Sequence, residues 1–185
     1  MGRISAYLQV SLDGYFAGPH GEIDWFKNNP DPEFEECSLE RASGTSALLF
    51  GRTTYEMMSS GWTSDEAHAD QPRMADVMAK SPKIVFSRSL RNVEESSRWQ
   101  NVELRHDIDA DALRADPRDF TTLGSGSIVQ QLTRLGLIDE YSLVVNPIVL
   151  GQGKNALAGV DMTQLELSDS RAFKNGLVWL TYQRA

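Results

Sequence analysis

The sequence predicts an α/β three-layer sandwich. Its central sheet is mixed and mostly parallel, and an antiparallel hairpin closes the C-terminal end. Three observations carry this. Strand-like and helix-like segments alternate over the first three quarters of the chain. Ala47 to Phe50 is a short apolar run, and Lys83 to Ser87 reads as another buried strand around Ile84, Val85 and Phe86, as strands covered on both faces do. The tail holds two strand-like stretches joined near Lys174-Asn175-Gly176, and Asn-Gly is the strongest short hairpin signal.

The elements follow in order. Residues 3–10 read as a strand, with Ile4, Ala6, Leu8 and Val10 on one face. Ser11 to Asp24 is rich in Gly, Pro and Asp and reads as a loop. Pro32 to Ser43 suits a helix, with Phe34, Cys37, Leu39 and Ala42 supplying its apolar side. Ala47 to Phe50 is a buried strand ending at Gly51. Thr53 or Thr54 then caps a helix carrying Tyr55, Met57 and Met58. Residues 61–72 are polar and read as loop. Residues 73–80 suit a helix, residues 83–87 a strand, 102–104 a short strand and 109–114 a short helix. Phe120 to Leu123 reads as a strand, followed by Gly124-Ser125-Gly126-Ser127 and a helix from about Ile128 to Leu135. Gly136 closes that helix. Tyr141 to Asn146 is a strand stopped by Pro147. Residues 165–171 and 177–183 form the final hairpin. Turn signals are spread evenly, so residues 1–185 read as one domain.

Composition narrows the function classes. The chain has 185 residues, with 18 Lys and Arg against 26 Asp and Glu, a formal charge of −8. That balance disfavours nucleic acid, which calls for a basic excess. No run approaches the roughly 18–20 apolar residues of a membrane span. Gln9, Ser11 and Asp13 interrupt the first apolar run too early for a signal peptide. Together with the lone Cys37, these features point to a cytoplasmic protein. One Cys and three His leave no material for a thiolate cluster or a His-rich metal site. Cys37 itself reads as a buried structural thiol.

Three strand ends share one chemical character. Phe50-Gly51-Arg52-Thr53-Thr54 joins a strand to a helix. Phe86-Ser87-Arg88-Ser89 ends a strand with hydroxyls and a cation. Leu123 to Ile128 again joins a strand to a helix. In a parallel sheet such ends lie along one edge, where ligands bind. Helix N-termini offer free N–H groups and a positive dipole end. Glycine allows close backbone approach, and Arg52 and Arg88 supply forked guanidinium groups. Singly, each loop is an ordinary turn or a solvated arginine. Jointly they describe a site for a ligand with several anionic groups.

Taken in order, these motifs resemble the dihydrofolate-reductase-like superfamily. More closely, they resemble the reductase domain found C-terminal in bifunctional riboflavin-biosynthesis deaminase-reductases. The residues carrying the likeness are Val10 to Gly18, Leu49 to Glu56, Val85 to Arg88, Gly124 to Ile128, Leu135 to Glu140 and Asn146 to Gly153. The resemblance implies NADPH as cofactor. It implies that Gly51, Arg52 and Thr53 hold the adenine-side phosphates, and that Ser87 and Arg88 meet the 2′-phosphate. Gly124, Ser125, Gly126, Ser127 and Ile128 would hold the pyrophosphate. The deaminase half of those enzymes needs a zinc site of the H-x-E and P-C-x-x-C kind. A single Cys leaves no such site, so only the reductase part is implied. The acids Asp31, Glu33, Glu35 and Glu36 match no folate-handling position.

Catalytic candidates are fewer. Asp13 is either a proton donor at the end of the first strand or a turn-forming residue before Gly14. Asp13, Asp24, Trp25 and Tyr55 are candidates to contact a small-molecule substrate, with core packing as the alternative for the two aromatics. Val178, Trp179, Leu180 and Tyr182 offer either a homodimer surface or ordinary sheet interior. The expected activity is NADPH-dependent hydride transfer to a heterocyclic or carbonyl-containing substrate. The alternative is an NADP(H)-binding or sensing module without turnover.

Overall fold

One eight-stranded sheet organises the chain, in the strand order β4-β3-β2-β5-β1-β6-β8-β7. The computed structural model describes residues 2–26 and 30–185, together with the backbone but not the side chain of Phe26. Residues 27–29, between Trp25 and the helix expected from Pro32, lie outside the described residues. The strands are β1 (Ile4–Ser11), β2 (Ala47–Gly51), β3 (Lys83–Phe86), β4 (Val102–Arg105), β5 (Phe120–Leu123), β6 (Glu140–Asn146), β7 (Leu165–Ala172) and β8 (Val178–Arg184). The helices are α1 (Pro32–Gly44), α2 (Arg52–Trp62), α3 (Asp65–Asp70), α4 (Pro72–Lys80), α5 (Ala110–Ala115) and α6 (Gly126–Arg134).

The first six strands run parallel. β8 and β7 are antiparallel at one end. The predicted class, a mixed and mostly parallel α/β sheet with an antiparallel C-terminal hairpin, is the one the structure shows.

Crossover handedness explains the layers. The connections β1 to β2 and β2 to β3 step one way across the sheet, whereas β4 to β5 and β5 to β6 step the other way. Right-handed crossovers then place their helices on opposite faces. The core divides accordingly. Ile4, Ala6, Leu8 and Val10 meet Leu113 of α5 and Ile128, Val129 and Leu132 of α6. On the other face, Leu48, Phe50 and Val85 meet Tyr55 of α2 and Met78 of α4. Tyr7, Val144 and Trp179 meet Phe34 and Cys37 of α1 on that same face.

Several local readings need correction. The stretch at 61–72 contains α3, whose first turn is capped by the Ser64 hydroxyl accepting from the Ala67 N–H at 3.1 Å. α2 starts at Arg52 with Gly51 before it, so neither Thr53 nor Thr54 caps it. α6 starts two residues early, at Gly126. Its end is as expected: Gly136 is left-handed at φ 64°, and Leu137 N–H donates to Leu132 C=O at 2.9 Å. Cys37 is only half-buried, with its Sγ 3.0 Å from the Arg171 guanidinium. β8 lies inside the sheet between β6 and β7, and Trp179 is buried. The exposed edge is β7, interrupted by a bulge near Leu167 and Asp169.

Candidate functional site

The opposite crossovers leave a crevice at the C-terminal ends of β2 and β5. α2 departs to one face and α6 to the other, which is the place where open α/β sheets bind ligands. One hydrogen bond spans the crevice floor. The Gly51 N–H donates to the Ser125 hydroxyl at 2.8 Å, and the bond is buried. Ser125 holds a left-handed backbone, φ 57° and ψ 65°. Gly124 beside it is also left-handed, at φ 67°. A non-glycine residue persists in that region only where its surroundings fix it.

Using its hydroxyl this way has a consequence for α6. Ser125 is the residue before the helix, yet its side chain does not cap the helix. Gly51, before α2, has no side chain to do so. Neither helix has an acidic residue in its first turn. Elsewhere the chain caps its helices with side chains: Asp31 caps α1, Ser64 caps α3 and Asp109 caps α5. α4 also lacks a side-chain cap, but it opens with Pro72, which has no N–H to satisfy. Two uncapped, acid-free helix starts therefore converge on one crevice, and both present positive dipole ends.

A hydroxyl and guanidinium cluster flanks it. An Arg52 Nη1 proton is donated to the Ser89 hydroxyl at 3.2 Å. The Ser87 and Ser89 hydroxyls stand 3.5 Å apart. The Ser87 hydroxyl accepts from the Leu90 N–H at 3.0 Å, so it is held in place. Arg52 is also paired with Glu56 at 2.8 Å, one helical turn along. Arg88 is not part of this cluster: its side chain is 86% exposed and paired with Asp107. Exposed pairs of this kind are worth little and exchange readily. Ser89, named in the sequence only as part of the Phe86–Ser89 strand end, joins the cluster because the chain bends after Ser87, whose hydroxyl accepts the Ser89 and Leu90 N–H groups.

The remaining candidates divide. Thr53 and Ser127 are exposed in the first turns of α2 and α6. Gly126 is buried against the Phe16 ring. The Ile128 side chain is in the core, and its N–H donates to the Ser125 carbonyl at 2.7 Å, so it offers no donor to a ligand. Tyr55 is likewise in the core, 6.2 Å from the Trp99 ring. Asp24 is exposed in a 3-10 turn, and the Trp25 indole donates to the Glu22 carbonyl of its own loop.

Asp13 is exposed at the crevice mouth, but its carboxylate is engaged. It accepts from the Ser11 hydroxyl at 2.7 Å, the Leu150 N–H at 3.1 Å and the Gly151 N–H at 2.7 Å. These bonds, the Ser11 hydroxyl foremost, hold its pKa below the usual carboxylate value. An ionised acceptor clamped to two amides is a poor proton donor. Its geometry suits it to tying the loop after β1 to the segment after β6. Asp31 is engaged similarly, accepting from the Phe34, Glu33 and Asn175 N–H groups. Among the described residues, no group of three or more His, Cys, Asp and Glu is placed to hold a metal. No helix among the described residues is long and apolar enough to cross a membrane.

Known proteins share this architecture. The profile of the RibD C-terminal domain family matches residues 3–179. The uncharacterized protein YyaP of Bacillus subtilis (strain 168) is 27% identical over 182 residues, covering 97% of this chain and 94% of that one. A crystal structure from Shewanella sp. PV-4, assigned to riboflavin biosynthesis, superposes with a TM-score of 0.77 at 24% identity and covers 99% of both chains. The dihydrofolate reductase of Enterococcus faecalis, complexed with NADP(H), superposes at 0.63 with 18% identity, covering 99% of this chain and 96% of that one. This chain belongs to the RibD C-terminal domain family, whose fold is that of reductases.

Proposed function

We propose that the protein is an NADPH-dependent reductase that transfers hydride to a small heterocyclic or carbonyl-containing substrate. One observation carries the reading: two helices with uncapped, acid-free first turns meet at the crevice of a reductase fold. The donor set fits a dinucleotide carrying several phosphates. The α6 first turn, at Gly126 and Ser127, would face the pyrophosphate, and Arg52, Ser87 and Ser89 would face a phosphate at the adenosine end. Bound there, the cofactor supplies the hydride. The protein binds it, orients it and keeps the loop after β1 over the reacting ends.

The Shewanella neighbour is assigned to riboflavin biosynthesis, but the substrate of this chain is set by its own loops. Asp13 and the Leu150-Gly151 amides lock the loop after β1 in place beside the crevice. A second reading has one observation in its favour. The Asp13 carboxylate is fully engaged as an acceptor, as in a module that binds NADP(H) without turnover. Titration with NADPH, followed by intrinsic fluorescence and thermal shift, tests the cofactor reading. Absence of both responses would sink it. Binding without oxidation across carbonyl and heterocyclic substrates would select the second reading.

A further inference from the structure

The loop after β1 is fastened on one side by more than the Asp13 clamp. The Leu12 N–H donates to the Ile148 carbonyl at 2.8 Å. The Phe16 N–H donates to the Lys154 carbonyl at 2.9 Å, and the Lys154 N–H to the Ala17 carbonyl at 2.8 Å. Gly153 is pressed beneath it, since a Cβ there would lie 2.4 Å from the Ala17 carbonyl oxygen. Residues 11–17 and 148–154 therefore move as one piece.

On the other side the Phe16 ring of the loop lies against the start of α6. A Cβ at Gly126 would lie 2.4 Å from two Phe16 ring carbons. Phe16 is half-buried and packs on the core cluster beside Ile128 and Val129. Gly126 is the first residue of α6 and has negative φ. Glycine is thus required there by the ring above it and not by its own backbone conformation.

We infer that Phe16 is a positioning residue, keyed into Gly126, that couples the seat of the β1 loop to occupancy of the α6 first turn. This rests on reading that turn as the cofactor's phosphate site. A phosphate bound at Ser127 and Gly126 sits beside the Phe16 ring and fixes it. The ring carries the loop, and Lys154 and Asp13 carry the segment after β6 with it. The substrate side of the crevice is then assembled once the cofactor is in place.

Four proteins test this: wild type, Phe16→Ala, Gly126→Ala and the double variant. Phe16→Leu replaces Phe16→Ala if the smaller residue prevents folding. NADPH affinity is read by fluorescence, and amide exchange over 11–18 is read with and without NADPH. Gly126→Ala displaces the ring, speeds exchange over 11–18 and weakens NADPH about tenfold, the coupling expected of side chains in contact. Removing the ring relieves the clash, so the double variant recovers the affinity of Phe16→Ala. NADPH protects 11–18 in wild type and not in Phe16→Ala. A double variant that binds no better than Gly126→Ala overturns the inference, because the glycine then serves the ligand directly. A wild type that does not bind NADPH overturns the cofactor reading itself.

Discussion

The Ser125 hydroxyl accepts the Gly51 N–H at 2.8 Å from a left-handed backbone. Two loops that follow the neighbouring strands β2 and β5, 74 residues apart in sequence, are joined by this contact. Ser125→Ala removes the acceptor and leaves a buried N–H unpaired, which costs about 1–3 kcal/mol, and it retains the backbone strain. Ser125→Gly removes the same acceptor but relieves the strain, worth roughly 1–2 kcal/mol. Glycine is therefore the milder substitution. Urea denaturation of the two variants checks the order, and equal losses would show that the left-handed backbone carries no strain.

Arg52 and Arg88 look alike in the sequence and differ in the structure. Arg52 reaches the Ser89 hydroxyl, while Arg88 is paired with Asp107 in solvent. Arg52→Ala is expected to weaken NADPH by roughly 1.5–3 kcal/mol, the range for a hydrogen bond to a charged group. It should weaken NADH much less. Arg88→Ala should change either cofactor by under about 1 kcal/mol, as exposed pairs do. Calorimetric titration of both dinucleotides decides the matter. A larger NADPH loss in Arg88→Ala would return the 2′-phosphate to that residue.

What the sequence made legible follows from burial. Ala47 to Phe50 and Ile84 to Phe86 are apolar throughout because helices cover both faces of the sheet there. The hairpin was legible from Asn175-Gly176, where Gly176 has φ 88°. The starts of α2 and α6 were misplaced because they have no side-chain caps to read. That missing signal belongs to the functional site. α3 escaped notice because its six residues include no buried one. Ile128 and Tyr55 were assigned to ligands from their place in a motif. Their side chains are in the core because the chain turns into a helix beside each of them. Which arginine meets which serine was not legible at all, since it depends on the packing of α2 against the end of β3.

Asp13 offers a test of role rather than affinity. As a clamp, it binds loop amides in its ionised form. Asp13→Asn keeps one carbonyl acceptor and should retain part of the turnover. Asp13→Ala should lose more, and both should speed amide exchange at Leu150 and Gly151. As a proton donor, Asp13 would instead leave no turnover in either variant, with exchange unchanged. Single-turnover rates and exchange measured on the same samples separate the two.

Lys83 gives a pH dependence with a defined sign. It is 1% exposed in β3, and its ammonium donates to the carbonyls of Ala79, Ser81 and Gln100 at 3.2, 2.6 and 3.0 Å. The Trp99 ring lies 4.4 Å away. Burial brings its pKa down to about 8 from 10.5, against a smaller opposing pull from Glu95. Between those values the unfolded chain holds a proton that the folded one has released. Stability therefore rises with pH across that window, and the cost of the buried charge is felt in full below it. Tyr7 acts in the opposite sense. Burial pushes its phenol up to about 12 from 10.0, so the stability it contributes falls away as pH rises above 10. The clean interval is thus pH 8 to 10. Lys83→Met removes the three bonds to carbonyls but cannot titrate. Across that interval, wild type should gain stability relative to Lys83→Met, as measured by urea midpoints at fixed ionic strength. Parallel curves for the two proteins would mean that the three carbonyls hold the ammonium charged throughout, and that burial has not lowered its pKa.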